Sequence, residues 1–325
     1  MIERVPAAGT GSIQPVQLHP ILVTGSHRSG STWVGKMIAG SPEVVYIHEP
    51  FSVDRPPGRA ICGVQFPQWF TYLSDENSAP YRRGLEKMMR LEFGLIEGLK
   101  EVRSWGGLRM LLGQSIQFRR HRQQGKTPLL KDPIAFFSAE WLAQRFDMNV
   151  VVLIRHPAAF AGSVKRLDWR CPFGDLLGQP LLMERYLSPF AEQMRDYVEH
   201  TRGAVEQAAL FWKLLYHVGC QYMDAHEDWL FLRYEDLARD PVTQFGAIYD
   251  ALGLEYTDHV RSVVQDFSDP ANPAKAADGA AAFTKRDSRA SIDSWKGILS
   301  PAEVKLVRNE VEVVSQRFYS DADWC

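Results

Sequence analysis

The sequence of 325 residues lacks any apolar run that approaches the roughly 20 residues required by a membrane-spanning helix. Its N-terminal segment, rich in Gly, Pro and Gln, lacks the apolar core of a secretory signal peptide. An excess of charge of one sign is also missing, because 37 Lys and Arg oppose 39 Asp and Glu for a net charge of −2. These absences predict a cytoplasmic protein without a membrane span, and they argue against wholesale binding of nucleic acid.

Cysteine is scarce, and its four positions are scattered: Cys62, Cys171, Cys220 and Cys325. They form no Cys-x-x-Cys pair, and no histidine stands at a spacing typical of metal ligands. A disulfide framework or metal site is therefore not indicated, and separate thiols in a reducing cytosol are expected. What the sequence does contain, 45% apolar and 23% charged residues, is typical of a globular protein with a large core.

Short apolar runs alternate with helical periods along the chain. The runs are residues 21–23, 44–47, 129–130, 150–154 and 229–232. Apolar runs without polar alternation are typical of strands that are buried on both faces of a parallel sheet. The pattern predicts one α/β domain over residues 1–325, with a doubly wound parallel sheet flanked by helices and ligands at the carboxyl ends of the strands.

Three helical faces are recognisable from their spacing. The first comprises Leu85, Met89, Phe93, Ile96 and Leu99, and the second comprises Val205, Ala208, Trp212, Leu215 and Val218. The third begins at the capping box Ser300-Pro301-Ala302-Glu303 and continues with Val304, Val307, Val311, Val314 and Phe318. Each set of apolar residues recurs every three or four positions, which predicts a helix that packs one face against the core.

Other segments do not fit this alternation. Residues 1–19 are predicted to be a flexible N-terminal segment, and residues 52–80 and 167–200 are rich in Pro, Gly and aromatic side chains. We interpret the latter two as insertions on the acceptor side, because loops on a rigid scaffold usually carry specificity. Their aromatic side chains either stack on an acceptor or simply pack. A basic run, Arg119, Arg120, His121, Arg122 and Lys126, is most simply a solvated face.

A Gly/Ser-rich turn follows the first apolar run and leads into a helix. It reads Gly25-Ser26-His27-Arg28-Ser29-Gly30-Ser31-Thr32-Trp33. Such a turn directs backbone N–H groups and the positive end of the helix at an anion. Its serine and threonine hydroxyls add donors, and Arg28 adds a guanidinium suited to phosphate-like groups. The turn therefore predicts an anion site, with a simple helix cap as the alternative.

This turn differs from the ATP and GTP phosphate loop at one position. Its glycines and Thr32 match G-x-x-x-x-G-K-[ST], but Ser31 stands where that motif requires lysine. Kinases and NTPases use the lysine against the β- and γ-phosphates, beside a Ser or Thr that binds Mg²⁺. Here the cation is Arg28, three residues earlier. The loop is P-loop-like but suits one phosphate-like group that carries another group, while a P-loop nucleotide kinase or NTPase remains the alternative.

The segment Arg28-Ser29-Gly30-Ser31-Thr32-Trp33 resembles the 5′-phosphosulfate loop K-S-G-T-T-W of sulfotransferases that use PAPS (3′-phosphoadenosine-5′-phosphosulfate). A second anchor follows the fourth apolar run, where Arg155-His156-Pro157 precedes Ser163. In that family, an arginine and a serine at this spacing bind the 3′-phosphate. The resemblance spans roughly residues 20–320. It implies a sulfotransferase that uses PAPS, releases PAP and requires no metal, with Ser26, His27 and the segment 28–33 around the 5′-phosphosulfate.

Two further segments resemble the family more loosely. Arg233-Tyr234-Glu235-Asp236-Leu237 is similar to its Y-E-D-L segment, which is largely structural there. Lys285-Arg286-Asp287-Ser288-Arg289, followed by Trp295-Lys296-Gly297, resembles the C-terminal basic loop that closes over the 3′-phosphate. The R-K-G triplet of the family is not reproduced. The resemblance therefore leaves open which of Lys285, Arg286 and Arg289 contacts the phosphate.

The acceptor needs a general base within hydrogen-bonding reach. Many cytosolic family members carry Lys-Thr-His where this sequence has Lys131-Asp132-Pro133, so that histidine is missing. In carbohydrate-directed branches, a glutamate at the place of Glu49 is the usual base. We expect Glu49 to end the strand next to the phosphate loop and to act as base, with His48 as second candidate and Lys131 as an electrostatic helper. The alternative for Glu49 is a strand-end carboxylate that pairs with a cation.

The acceptor itself is specified only by class. The absent Lys-Thr-His and the present His48-Glu49-Pro50 favour a hydroxyl, or an amine, of a carbohydrate or glycan-bearing molecule. A phenol or another small natural product is the alternative acceptor, and a nucleotide-binding module without catalysis is the alternative class. The sequence does not decide between a monomer and a homo-oligomer.

Overall fold

The computed structural model describes residues 18–54, 64–95, 99, 102, 104–269, 271–273, 285 and 287–325. Most of the predicted flexible segment 1–19, together with Cys62, Ile96 and Arg286, lies outside the described residues. No helix within the described ranges is long and apolar enough to cross a membrane. Cys171, Cys220 and Cys325 have free thiols.

Five parallel strands form one sheet in the order β2-β3-β1-β4-β5. They are β1 Ile21–Gly25, β2 Val44–His48, β3 Thr127–Lys131, β4 Asn149–Ile154 and β5 Leu230–Arg233. Each strand overlaps one of the apolar runs in the sequence, so the predicted strands are confirmed. Because the strands are parallel, their carboxyl ends meet along a single edge of the sheet.

Helices cover both faces of the sheet. Within the described residues, the α-helices of five or more residues are α1 Ser31–Ile38, α2 Ala79–Met89, α3 Trp105–Gln123, α4 Ala139–Phe146, α5 Pro157–Leu167, α6 Phe173–Leu177, α7 Ala191–Glu199, α8 Ala204–Ala225, α9 Tyr234–Arg239, α10 Pro241–Ala251, α11 Asp258–Ser268 and α12 Pro301–Ser315. Successive side chains of a strand point to opposite faces of the sheet and therefore pack into different hydrophobic cores. Leu22 packs with α5, α8 and α12, whereas Val23 packs with α1, α10 and α11. The doubly wound α/β fold is therefore confirmed.

Helix α12 begins as its sequence predicts. Ser300 Oγ accepts a hydrogen bond from the backbone N–H of Glu303 at 3.3 Å, and the Glu303 carboxylate accepts from the N–H of Ser300 at 2.7 Å. This reciprocal pair satisfies two N–H groups that otherwise lack partners at a helix start. Val307, Val311 and Val314 then face the core. The predicted face of α8 is buried as well.

The helix predicted from Leu85 to Leu99 is wrong in its extent. Helix α2 ends at Met89, because Leu91 takes a left-handed backbone conformation with φ 52°. Phe93 leaves the helical path and packs against Phe118 of α3, with 5.6 Å between the ring centroids. The helical spacing of apolar residues in the sequence thus extends past Leu91, although the helix itself does not.

The expectation that the strand before Glu49 lies beside the phosphate loop is also wrong. Strand β3 lies between β2 and β1, and β2 occupies the edge of the sheet. The burial of the two strands gives the reason. All five residues of β3 are buried, as a central strand requires, whereas Tyr46 is half-buried and His48 is exposed at the end of β2.

Candidate active site

The loop from β1 to α1 has a backbone that few side chains tolerate. Gly25, Arg28 and Gly30 have φ values of 132°, 65° and 95°. A Cβ at Gly25 would lie 2.2 Å from the carbonyl oxygen of Leu153, and a Cβ at Gly30 would lie 2.6 Å from the ring of Tyr234. Glycine is therefore required at both positions by conformation and by space. The predicted strand, loop and helix are present at residues 21–38.

Two polar side chains at the end of this loop and the start of α1 lack hydrogen-bond partners in the described structure. No side chain caps α1 at Gly30. The hydroxyl of Ser29 and the indole N–H of Trp33 are buried without a hydrogen-bond partner. The first N–H groups of a helix also have no acceptor within the helix. Because buried donors without acceptors are costly, this set of groups fits an anion bound at the start of α1.

Ser26 has a different environment from the rest of the loop. The hydroxyl of Tyr216, on α8, lies 3.0 Å from Ser26 Oγ, accepts from the Ser26 N–H at 3.2 Å and donates to the Leu153 carbonyl at 2.7 Å. The tyrosine thereby ties the loop to β4. Nothing in the sequence distinguished Tyr216 from the other apolar or aromatic residues of α8.

The two predicted phosphate anchors meet at Arg28. Arg28 Nε donates to Ser163 Oγ at 3.1 Å, and Arg155 Nη1 donates to the carbonyl oxygen of Arg28 at 2.9 Å. Ser163 is on α5, and Arg155 follows β4 directly. Residues separated by more than 120 positions in the sequence therefore form one group at the carboxyl edge of the sheet. We call Arg28, Arg155 and Ser163 the anion cluster.

Tyr234 and Ser291 also contact the side chain of Arg155. Its guanidinium lies 4.5 Å from the centroid of the Tyr234 ring, and Arg155 Nη2 donates to the carbonyl oxygen of Ser291 at 3.1 Å. The hydroxyls of Tyr234 and Ser291 are also hydrogen-bonded to each other. The Y-E-D-L segment thus supplies a ring that supports the arginine. Ser291 was not singled out in the sequence, because a lone serine beyond the basic run carries no signal.

The C-terminal basic residues have partners elsewhere. Lys285 pairs with Asp266 of α11 at 2.8 Å. Arg289 donates to the carbonyl oxygen of Arg239 through Nε at 3.1 Å and Nη2 at 2.7 Å. Arg286 lies outside the described residues. Of the described part of this segment, Ser291 is the residue hydrogen-bonded to the anion cluster, and contact of Lys285, Arg286 or Arg289 with a 3′-phosphate stays a prediction.

His27 is packed as an aromatic ring rather than as a charged group. It is 7% exposed, and its ring centroid lies 4.1 Å from that of Trp169 and 4.9 Å from that of Phe160. Neither ring nitrogen has a hydrogen-bond partner in the described structure. Burial, assisted by the charge of Arg28, lowers the pKa of His27 to about 3. His27 is therefore neutral at neutral pH, beside the cation of the loop.

This environment predicts a pH-dependent stability. An unfolded histidine binds a proton near pH 6.5, whereas buried His27 resists protonation until about pH 3. Its contribution is complete above pH 6.5 and is lost as the pH falls toward 3, at about 1.4 kcal/mol per pH unit. The unfolding free energy of the wild type should therefore fall more steeply than that of His27→Leu between pH 6 and pH 4. Denaturant unfolding of both proteins measures the difference, and parallel slopes would show that His27 is not held neutral.

Glu49 and Lys131 form an ion pair at the ends of β2 and β3. Lys131 Nζ contacts Glu49 Oε1, and the Glu49 N–H donates to the Lys131 carbonyl at 2.8 Å. The lysine side chain is 0% exposed, whereas the glutamate side chain is 27% exposed. Glu49 Oε2 lies 3.8 Å from Nε2 of the exposed His48. One carboxylate oxygen therefore faces a buried cation while the residue remains accessible.

The stem of Lys131 is covered by α1. A Cβ added at Gly35 would lie 2.9 Å from Lys131 Cγ and 3.1 Å from the ring of Tyr46. Glycine at this position lets the helix approach β2 and β3 closely. Helix α1 therefore packs directly against Lys131, the residue that forms the ion pair with Glu49.

Asp132 joins the loops that follow β2 and β3. Its Oδ2 accepts from the Phe51 N–H at 2.6 Å, and its Oδ1 accepts from the Ile134 N–H at 2.9 Å. Burial raises the pKa of Asp132 to about 7, although these backbone donors act in the opposite direction. Both oxygens are used by the backbone, so the side chain braces the two loops.

The two predicted insertions contact each other. The Trp69 N–H donates to Asp175 Oδ2 at 2.9 Å, and the Tyr72 N–H donates to Gln179 Oε1 at 2.7 Å. Phe70 is buried, whereas Trp169 is 39% exposed against His27. Apolar packing therefore explains Phe70, and the second insertion brings Trp169 to the phosphate loop. Their role toward an acceptor stays a prediction.

The fold and the site define a doubly wound α/β protein with a P-loop-like turn after β1, in which Ser31 stands at the position of the ATP-loop lysine and Arg28 lies three residues earlier. The family model described as "Sulfotransferase family" matches residues 20–258. The chain therefore belongs to the sulfotransferase family, whose members transfer sulfuryl groups. The comparison with curated proteins gave no match.

Solved structures of sulfotransferases are also similar to this chain. The sulfotransferase domain from the Synechococcus PCC 7002 olefin synthase is 17% identical, with a TM-score of 0.45, over 91% of this chain and 96% of that domain. The sulfotransferase domain from the curacin biosynthetic pathway is 14% identical, with a TM-score of 0.49, over 92% and 97%. Mouse sulfotransferase SULT7A1 complexed with PAP is 13% identical, with a TM-score of 0.43, over 94% and 86%.

Proposed function

We propose that this sulfotransferase uses PAPS as its donor and transfers the sulfuryl group to a hydroxyl or amine of a carbohydrate or glycan-bearing acceptor. The observation that carries the proposal is the anion cluster beside a phosphate loop whose buried Ser29 hydroxyl has no partner in the described structure. Two anion-binding groups on one edge suit a nucleotide with phosphates at two positions. PAP in the mouse SULT7A1 structure is consistent with such a nucleotide.

In this proposal the loop and the cluster bind different phosphates. The backbone N–H groups at the start of α1 and the hydroxyls of Ser29, Ser31 and Thr32 hold the 5′-phosphosulfate. Arg155 and Ser163 hold the 3′-phosphate, and Arg28, hydrogen-bonded to Ser163, lies between the two groups. When bound, PAPS supplies the sulfuryl group. The protein contributes fixed donors and positive charge where negative charge grows on the leaving phosphate.

Glu49 is the proposed general base. It removes the proton from the acceptor hydroxyl, and its partly exposed side chain allows the acceptor to approach. Lys131 is a positioning residue, because its buried ammonium fixes one oxygen of Glu49. Asp132 is less suited to the role, since both of its oxygens accept from backbone N–H groups. The two insertions, joined by their hydrogen bonds, form the proposed acceptor side.

Arg155→Ala tests the assignment of the 3′-phosphate. The variant should bind PAP about 10- to 100-fold more weakly, because a charge-assisted hydrogen bond is lost, and should bind 5′-AMP with unchanged affinity. The preference for PAP over 5′-AMP should therefore fall by the same factor. Isothermal titration without added metal measures both affinities. The thermal shifts caused by ADP and ATP, compared with the shift caused by PAP, test the alternative of a nucleotide kinase.

The matched control is Arg166→Ala, because Arg166 is an exposed arginine of α5, three residues after Ser163. This variant should keep the wild-type preference for PAP over 5′-AMP. Unchanged binding of 5′-AMP would show that the phosphate loop is intact in Arg155→Ala. If Arg155→Ala keeps the full preference for PAP, the assignment of the 3′-phosphate is wrong. Tighter binding of ATP than of PAP would contradict the proposed donor.

A further inference from the structure

Helix α3 carries an apolar stripe that faces solvent. Trp105, Leu112 and Ile116 are separated by seven and four residues, so they lie on one face of the helix. Their relative exposures are 87%, 47% and 56%. Leu111, the buried residue of α3, lies on a different side. A surface helix ordinarily turns one apolar stripe toward the core. Packing within the described part of the chain therefore does not explain the exposed stripe of Trp105, Leu112 and Ile116.

Cations border this stripe. Arg109 follows Trp105 by four residues, and Arg119 and Arg120 follow Ile116 by three and four, so all three lie on or beside the same face. All three side chains belong to exposed residues. Residues 104–126 contain five Lys or Arg and no Asp or Glu, in a chain whose net charge is −2. The segment is thus a local basic region on a protein that is otherwise net acidic.

We propose that α3 attaches the protein to the surface of an anionic lipid bilayer. Trp105, Leu112 and Ile116 enter the boundary between headgroups and acyl chains, while the bordering arginines contact lipid phosphates. Tryptophan suits this boundary because its ring is apolar and its N–H is polar. The attachment is peripheral, and it is independent of which donor and acceptor the site uses.

The combination of side chains selects a bilayer over other partners. A nucleic acid offers phosphates to the arginines, but its backbone provides no apolar layer for Leu112 and Ile116. A second copy of α3 offers apolar surface, but it also brings the same cations into contact with each other, which is unfavourable. A bilayer that contains anionic lipid accommodates the apolar stripe and the bordering charges at once.

Vesicle flotation tests the proposal with the chain of 325 residues. The wild type should float with vesicles of phosphatidylcholine that contain phosphatidylglycerol, and should float poorly with phosphatidylcholine alone. A variant with Trp105→Ser, Leu112→Ser and Ile116→Ser should lose about tenfold in partitioning for each side chain. A variant with Arg109→Gln, Arg119→Gln and Arg120→Gln should lose about fivefold for each charge, and binding should become less sensitive to salt.

Val313→Ser is the matched control, because Val313 on α12 is 85% exposed and lies outside the basic region. It should float as the wild type does, and circular dichroism should confirm that all variants are folded. Unchanged flotation of both triple variants would overturn the proposal. The proposal would also be overturned if the wild type did not bind anionic vesicles. The same holds if it instead bound an oligonucleotide through the arginines or formed a dimer that the serine substitutions dissociate.

Discussion

Replacing Glu49 with glutamine is expected to lower turnover by about 10²–10⁴-fold while PAP affinity stays unchanged. Glutamine keeps the shape of the side chain and can still contact Lys131, but it cannot accept the proton of the acceptor hydroxyl. The phosphate loop is formed by other residues, so donor binding should not respond. Turnover with saturating donor and acceptor, together with calorimetric titration of PAP, measures both effects.

The buried lysine requires a second variant. Glu49→Gln removes the negative charge beside Lys131, whose side chain is 0% exposed, and leaving a buried charge unpaired costs about 3–5 kcal/mol. The double variant Glu49→Gln with Lys131→Met removes both charges and should recover stability without recovering turnover. Recovery of turnover in the double variant would show that Glu49 serves only to neutralise the lysine.

His48→Ala is the comparison for the base itself. His48 is exposed, and its Nε2 lies 3.8 Å from Glu49 Oε2, so its loss should reduce turnover much less than the loss of Glu49. If His48→Ala is the more severe substitution and Glu49→Gln retains near-full turnover, the base is His48.

Arg28→Ala is expected to reduce the transfer rate by about 10²–10³-fold and to weaken PAP binding far less. The leaving phosphate gains negative charge as its bond to sulfur breaks, so a cation beside it stabilises the transition state more than the ground state. Single-turnover transfer and equilibrium binding of PAP separate the two contributions. The conservative variant Arg28→Lys keeps the charge and should recover part of the rate.

The contacts of Arg28 make this comparison informative. Its Nε donates to Ser163 Oγ at 3.1 Å, so Arg28→Ala also frees Ser163, and the variant Ser163→Ala reports that effect separately. Ser163→Ala should weaken PAP binding without a selective loss of rate. Equal losses of rate and PAP affinity in Arg28→Ala would show that Arg28 contributes to ground-state binding alone.

The sequence was informative where one local pattern determines one local structure. Runs of β-branched residues predicted the strands, and the glycines of the loop predicted its turn, because burial and backbone conformation act within a few residues. The order of β2 and β3 depends on which strand is buried by distant helices, so spacing along the chain could not predict it. Similarly, α2 stops at Met89 because Leu91 takes a left-handed backbone conformation, which a leucine side chain does not predict.

For the site, the sequence indicated the residues but not their arrangement. Arg28, Arg155 and Ser163 were recognisable by their patterns, and the structure brings them into contact. Tyr216 and Ser291 were missed because their contribution is a hydroxyl or carbonyl placed by tertiary folding. The partners of Lys285 and Arg289 could not be predicted either, because a basic residue in a loop can pair with any nearby acceptor.

Gly35 determines how closely the two halves of the proposed site pack together. The helix that starts at the phosphate loop rests on the stem of Lys131 through this glycine, and Lys131 in turn holds Glu49. Helix α1 and the carboxylate of Glu49 are therefore joined through a single side chain, that of Lys131. A methyl group at position 35 would lie 2.9 Å from Lys131 Cγ, so the seat of α1 on the sheet and the position of Lys131 depend on each other.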